Sequence, residues 1–147
     1  GCRLNEIMTL KWAYVDLAER VLRLPDSKSG AKVVHLGQPA VDLLRDAQRI
    51  EDNPWVIAGT LPGKRLSDLQ PFWQRVRARA GVKDVRIHDL RHTFASTAVA
   101  SGQGLPMIGK LLGHTQVQTT ARYAHLAAEP VRIAADAVAQ NLRQSLG

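Results

Sequence analysis

Leu4, Ile7, Met8 and Leu10 recur at helical spacing, which predicts a short helix over residues 3–12. The period then shortens to that of strands. Val21-Leu22-Arg23-Leu24 and Lys32-Val33-Val34-His35-Leu36 are aliphatic and β-branched, and residues 25–30 between them are turn chemistry, so the segment reads as a β-hairpin with Lys28 at its tip. Pro39 opens a helix to about residue 50, and Asp52-Asn53-Pro54 breaks it ahead of the strand-like Trp55-Val56-Ile57. The rest is helical: 68–80 behind a Ser67 cap and ended by Gly81, 87–100 ended by Ser101-Gly102, 105–112 stopped by Gly113, and 117–124. A last helix runs from Pro130 to about residue 145, with Val131, Ala135, Val138, Leu142 and Leu146 forming one apolar stripe. The pattern predicts a single α+β domain, mostly α-helical, with a small antiparallel β-hairpin or sheet.

The 147 residues, 45% hydrophobic, suit one domain with a real core, and no stretch approaches the ~20 apolar residues of a membrane span. The single cysteine, Cys2, excludes an internal disulfide, so a reducing, cytoplasmic setting is expected. Charge changes the picture more. The net charge is +7, and between Lys64 and His92 eight basic residues face three acidic ones. An anionic partner, nucleic acid first, is the expectation, against the alternative of a merely solvated basic surface. The chain opens on Gly1 with no signal peptide, as if cut inside a domain.

In Ile87-His88-Asp89-Leu90-Arg91-His92-Thr93-Phe94, His88, Arg91 and His92 stand at i, i+3 and i+4 and could share one helical face. A zinc reading of His88 and His92 is disfavoured, because Asp89 is shorter than the glutamate such a site uses and Arg91 would set a fixed cation beside the metal. These side chains could also simply cap or pack. The segment does not stand alone, however. Gly1-Cys2-Arg3-Leu4-Asn5-Glu6, Lys28, the His88 segment, Leu111-Leu112-Gly113-His114 and Ala121-Arg122-Tyr123-Ala124-His125 follow one another in order. Together they resemble the tyrosine recombinase family of phage and bacterial integrases.

The resemblance implies the catalytic-domain fold of that family over residues 1–147, without the domain's first helices and without an amino-terminal core-binding domain. It implies site-specific DNA recombination, integration or excision, by transesterification through a 3′-phosphotyrosyl intermediate, with no metal and no cofactor. Tyr123 would be the nucleophile, Arg3 and Arg91 a phosphate clamp, His114 a further donor, His88 an acid/base and Lys28 the general acid for the 5′ oxygen, supported by Glu6 and His92. The chemistry is coherent, since guanidinium forks match phosphate oxygens and a tyrosine of ordinary pKa near 10 needs help to ionise. The small polar run before Tyr123 suggests an exposed, movable helix, although Tyr123 could instead be a core aromatic. His35 and His125 are left outside the site. Double-stranded DNA and other protomers in a tetrameric synapse are the implied partners, with no membrane. The terminal stripe would pack on its own domain or on a neighbouring protomer. A type IB topoisomerase activity and a catalytically silent DNA-binding fragment are the alternatives.

Overall fold

The computed structural model of the chain describes residues 1–27, 30–114, 116–126 and 128–146. They form two compact units, one of Cys2–Asp89 and one of Gly1 with Leu90–Gly147.

The first unit begins with α1 (Leu4–Met8), shorter than the apolar spacing predicts. The Thr9 hydroxyl donates to the Asn5 carbonyl at 2.7 Å, the Leu10 carbonyl accepts from Val56, and the Trp12 amide donates to Pro54, so residues 54–56 claim the backbone groups that a longer helix would use. A 3-10 turn (Trp12–Tyr14) leads to β1 (Val15–Asp16), a strand too short to leave a period in the sequence. The expected hairpin is present as β2 (Val21–Leu24) and β3 (Lys32–His35), antiparallel, with Leu22 opposite Val34 and Leu24 opposite Lys32. The tip residue Lys28 lies outside the described residues. With β1 on the other edge of β2 the sheet has three strands, and Leu10, Leu22 and Leu24 form its core against Tyr14, Val34, Leu36, Leu44 and Val56.

α2 (Gln38–Asp46) starts with Pro39 in its first turn as predicted, but stops short of residue 50. Val41 and Leu44 face the core, and beyond the half-buried Ala47 the residues Gln48, Arg49 and Ile50 are exposed, so a longer helix would have little further apolar surface to bury. α3 (Gln70–Arg79) is not capped by Ser67. The Asp68 carboxylate accepts from the Gln70 amide at 2.8 Å instead, and Gly81 ends the segment as expected.

The second unit is helical. α4 (Asp89–Ala100) begins two residues later than predicted, because the Asp89 amide donates to the Arg86 carbonyl and residues 86–89 make a turn that contains His88. α5 (Leu105–Leu112) ends at Gly113, which takes φ +65° and reverses the chain as a left-handed cap. α6 (Val117–Ala121) and a 3-10 turn (Ala124–Leu126) follow, then α7 (Ala128–Leu146). Ala95, Val99, Ile108, Leu112 and Tyr123 form the core of this unit. Among the described residues no helix is long and apolar enough to cross a membrane.

Candidate active site

In the first unit, Arg3 stands at the amino-terminal cap of α1 and Glu6 at its third position. Glu6 reaches back to the Arg3 amide at 2.8 Å, half of a capping box, and also accepts from Arg3 Nη1 at 3.0 Å. The same carboxylate meets Lys32 Nζ, 2.8 Å from each of its oxygens. Burial would raise the Glu6 pKa, but the hydrogen bonds from Lys32 and from the Arg3 amide and guanidinium outweigh it and hold the carboxyl below its usual value. Glu6 is therefore an anion shared by two cations. Lys32 escaped the sequence reading. Its signal was parity, since it is in phase with Val34 and Leu36 and so faces the core side of β3, where a lysine requires a carboxylate.

His88 is exposed and lies in the turn before α4, so it does not share a helical face with Arg91 and His92 as predicted. That turn is pinned on both sides of it: the Asp89 carboxylate accepts from the Arg86 amide at 2.8 Å and from its guanidinium at 2.9 Å, which raises the Arg86 pKa.

The second unit holds Arg91, His92, His114 and Tyr123. Arg91 is buried, and its guanidinium donates to the carbonyls of Gly1 and, at 2.8 Å, of Leu112. It therefore clasps the last residue of α5, two residues before His114. The His114 amide donates to the Gly109 carbonyl, and its ring Nδ1 lies 2.8 Å from the hydroxyl of Thr120. Thr120 packs tightly against α5: a Cβ on Gly109 would sit 3.0 Å from the Thr120 hydroxyl, so glycine is what allows that approach.

Tyr123 is not exposed as the polar run before it suggests. Only 6% of it is accessible, its ring is part of the core, and its hydroxyl lies 2.7 Å from His92 Nδ1. Within the small polar run Thr120 is close-packed, only 1% exposed and with its carbonyl accepting from the Tyr123 amide at 3.0 Å, while Ala121 and Arg122 are exposed. Thr120 is thus a second residue that the sequence reading missed. Nothing in a lone threonine marks it as a histidine's partner.

A tyrosine hydroxyl on an imidazole, a second imidazole held by the threonine three residues before that tyrosine, and a buried arginine are groups suited to attack by oxygen on an anionic ester. The sequence matches the model of the phage integrase family over residues 1–129. The chain belongs to that family. The tyrosine recombinase XerD of Yersinia pestis is 31% identical to this integrase-family chain over 90% of it and 48% of XerD. The chain thus spans about half the length of that curated relative. Among solved structures, XerA recombinase aligns with a TM-score of 0.70 at 27% identity, over 89% of this chain and 50% of that one. The Tn1549 transposon integrase, in complex with transposon right end DNA, aligns with a TM-score of 0.68 at 15% identity, over 93% and 54%, and at that identity shows the fold alone. The expected architecture, mostly helical with a small antiparallel sheet, is the one these recombinases have.

Proposed function

We propose that this chain is the catalytic part of a site-specific DNA recombinase acting through Tyr123. The observation that carries the reading is the Tyr123 hydroxyl, hydrogen-bonded to His92 three residues after the threonine that holds His114, in a chain of the integrase family. Tyr123 Oη attacks the scissile phosphorus as its proton passes to an imidazole, the P–O5′ bond breaks, and a 3′-phosphotyrosine forms. The departing 5′ oxygen takes a proton from Lys28. A 5′ hydroxyl from another strand then attacks the phosphotyrosine, releasing Tyr123. One phosphodiester replaces another, so the exchange needs no energy source and no cofactor.

Within this reading, Arg3 and Arg91 take the non-bridging oxygens, each bringing a charge that persists through the reaction, and His114 adds a donor. His92 is the base that the geometry offers for the tyrosyl proton. His88, to which the family resemblance gives that task, is the alternative acceptor. The DNA-bound transposon integrase of the same fold and the net charge of +7 support double-stranded DNA as substrate. Further protomers in a tetrameric synapse complete the proposal, with an amino-terminal DNA-gripping domain in the intact recombinase and a cytoplasmic site of action.

The test is a nicked duplex that traps the cleaved strand. A covalent protein–DNA band that is lost in Tyr123→Phe supports the recombinase, strand transfer to a second duplex distinguishes it from a topoisomerase, and tight binding without any adduct leaves a DNA-binding fragment.

A further inference from the structure

Lys32 opens β3 opposite Leu24 and faces the same side as Val34. Its side chain is 12% exposed and the Glu6 carboxylate it meets is 5% exposed, 26 residues away in sequence. Enclosing an ammonium there costs desolvation that an aliphatic residue would avoid, so packing alone does not account for it. Electrostatics does. A lone carboxylate 3.0 Å from Arg3 would orient the guanidinium and at the same time cancel much of its charge toward a bound anion. A second cation on that carboxylate removes the conflict, because two cations and one anion leave the cluster with a net positive charge.

We propose that Lys32 is a positioning residue: it neutralises Glu6, so that Glu6 can fix Arg3 without weakening its pull on the scissile phosphate. This rests on the recombinase reading above. Lys32 acts through Glu6, which sets it apart from Lys28, expected at the leaving oxygen. The lowered Glu6 pKa agrees with a carboxylate kept ionised by two partners.

Single-turnover cleavage of the trapping duplex by the full chain tests it, comparing wild type, Lys32→Met, Lys32→Arg, Glu6→Gln and the double variant K32M/E6Q. Lys32→Met should cleave at least about tenfold more slowly, with DNA binding changed by less than about twofold, and Lys32→Arg should recover most of the rate. With glutamine at position 6 there is no charge left to neutralise, so the double variant should cleave at the rate of Glu6→Gln alone. A merely structural lysine would not give that pattern. The Glu6 carboxyl, followed by carbon NMR, should titrate at higher pH in Lys32→Met. If Lys32→Met does not fold, Lys32→Gln serves in both measurements. Wild-type cleavage by the methionine variant, multiplicative losses in the double variant or an unmoved Glu6 titration would each overturn the proposal. Absence of any wild-type adduct would instead sink the recombinase reading, and the Glu6 titration would still decide whether Lys32 neutralises that carboxylate.

Discussion

The Thr120 hydroxyl lies 2.8 Å from Nδ1 of His114, and the threonine is almost completely buried. A histidine held at one ring nitrogen has its ring direction fixed, so the bond to Thr120 sets how the imidazole is presented. Thr120→Val keeps the shape and removes the bond. It should slow cleavage by about tenfold while costing about 1–2 kcal/mol of stability, whereas Thr120→Ser should retain most of the rate. Single-turnover cleavage alongside denaturant unfolding makes the comparison, and equal rates in the valine and serine variants would deny the hydroxyl a role in cleavage.

Gly109 faces the same threonine from α5. A methyl placed there meets the hydroxyl at 3.0 Å, so Gly109→Ala should destabilise the chain by about 1–3 kcal/mol through overpacking. The clash is with the hydroxyl rather than with Cβ, which stands 4.0 Å away. In a Thr120→Ala background the penalty for Gly109→Ala should therefore shrink, a non-additivity readable from urea unfolding of the four variants.

Because the ring of Tyr123 belongs to the core, Tyr123→Phe should fold normally, losing about 1 kcal/mol with its hydrogen bond to His92. The adduct should vanish. If His92 receives the tyrosyl proton, His92→Asn should depress single-turnover cleavage by about 100-fold or more, and His88→Asn by less. The reverse order would return that task to His88.

The Glu6 carboxyl has its pKa lowered in the folded state, so its contribution to stability is complete above the ordinary value of 4.5 and is lost as pH falls through the lower folded value. Unfolding free energies of wild type and Glu6→Gln should differ by about 2–3 kcal/mol at neutral pH, a figure reduced because Arg3 is partly exposed. The gap should hold down to about pH 5 and then close toward more acid pH. A gap that stays constant to pH 3 would mean that Glu6 acts through its shape and not its charge.

What the sequence disclosed and what it hid follow one physical division. Helix stops at Gly81 and Gly113, the β2–β3 hairpin and the order of the motif segments depend on local chemistry, and each was legible. The early end of α1 was not, because backbone groups more than 40 residues downstream, at Pro54 and Val56, set it. His88 fell outside its helix for a local reason that was nonetheless missed: Asp89 turns back on Arg86 and begins the helix itself. Lys32 and Thr120 were hidden because a buried partner is a tertiary fact, visible only as parity for the lysine and not at all for the threonine. For Tyr123 the sequence left an exposed helix and a core aromatic both open, because small residues before an aromatic serve close packing as readily as mobility.

The apolar stripe of α7 is left by the sequence between two homes, its own domain and a neighbouring protomer. In the structure Val131, Val138 and Leu142 on that stripe, and Ile133 beside it, are all more than half exposed. Within its own unit the helix therefore leaves this apolar surface in water, a standing cost of roughly 1 kcal/mol or more per large side chain relative to burial. A neighbouring protomer on DNA would recover it. Truncation after residue 127 should then leave the thermal unfolding of the free chain within about 2–3 °C of the full chain, because few core contacts are removed. The same truncation should abolish cooperative multimers on a duplex carrying two binding sites, seen as the loss of the slower bands in a native gel. The charge variant Val138→Glu should mimic it without shortening the chain, since one buried carboxylate disrupts an apolar interface. If truncation instead lowers the melting temperature by ten degrees or more, the stripe is part of the monomer's fold and the docking role is lost.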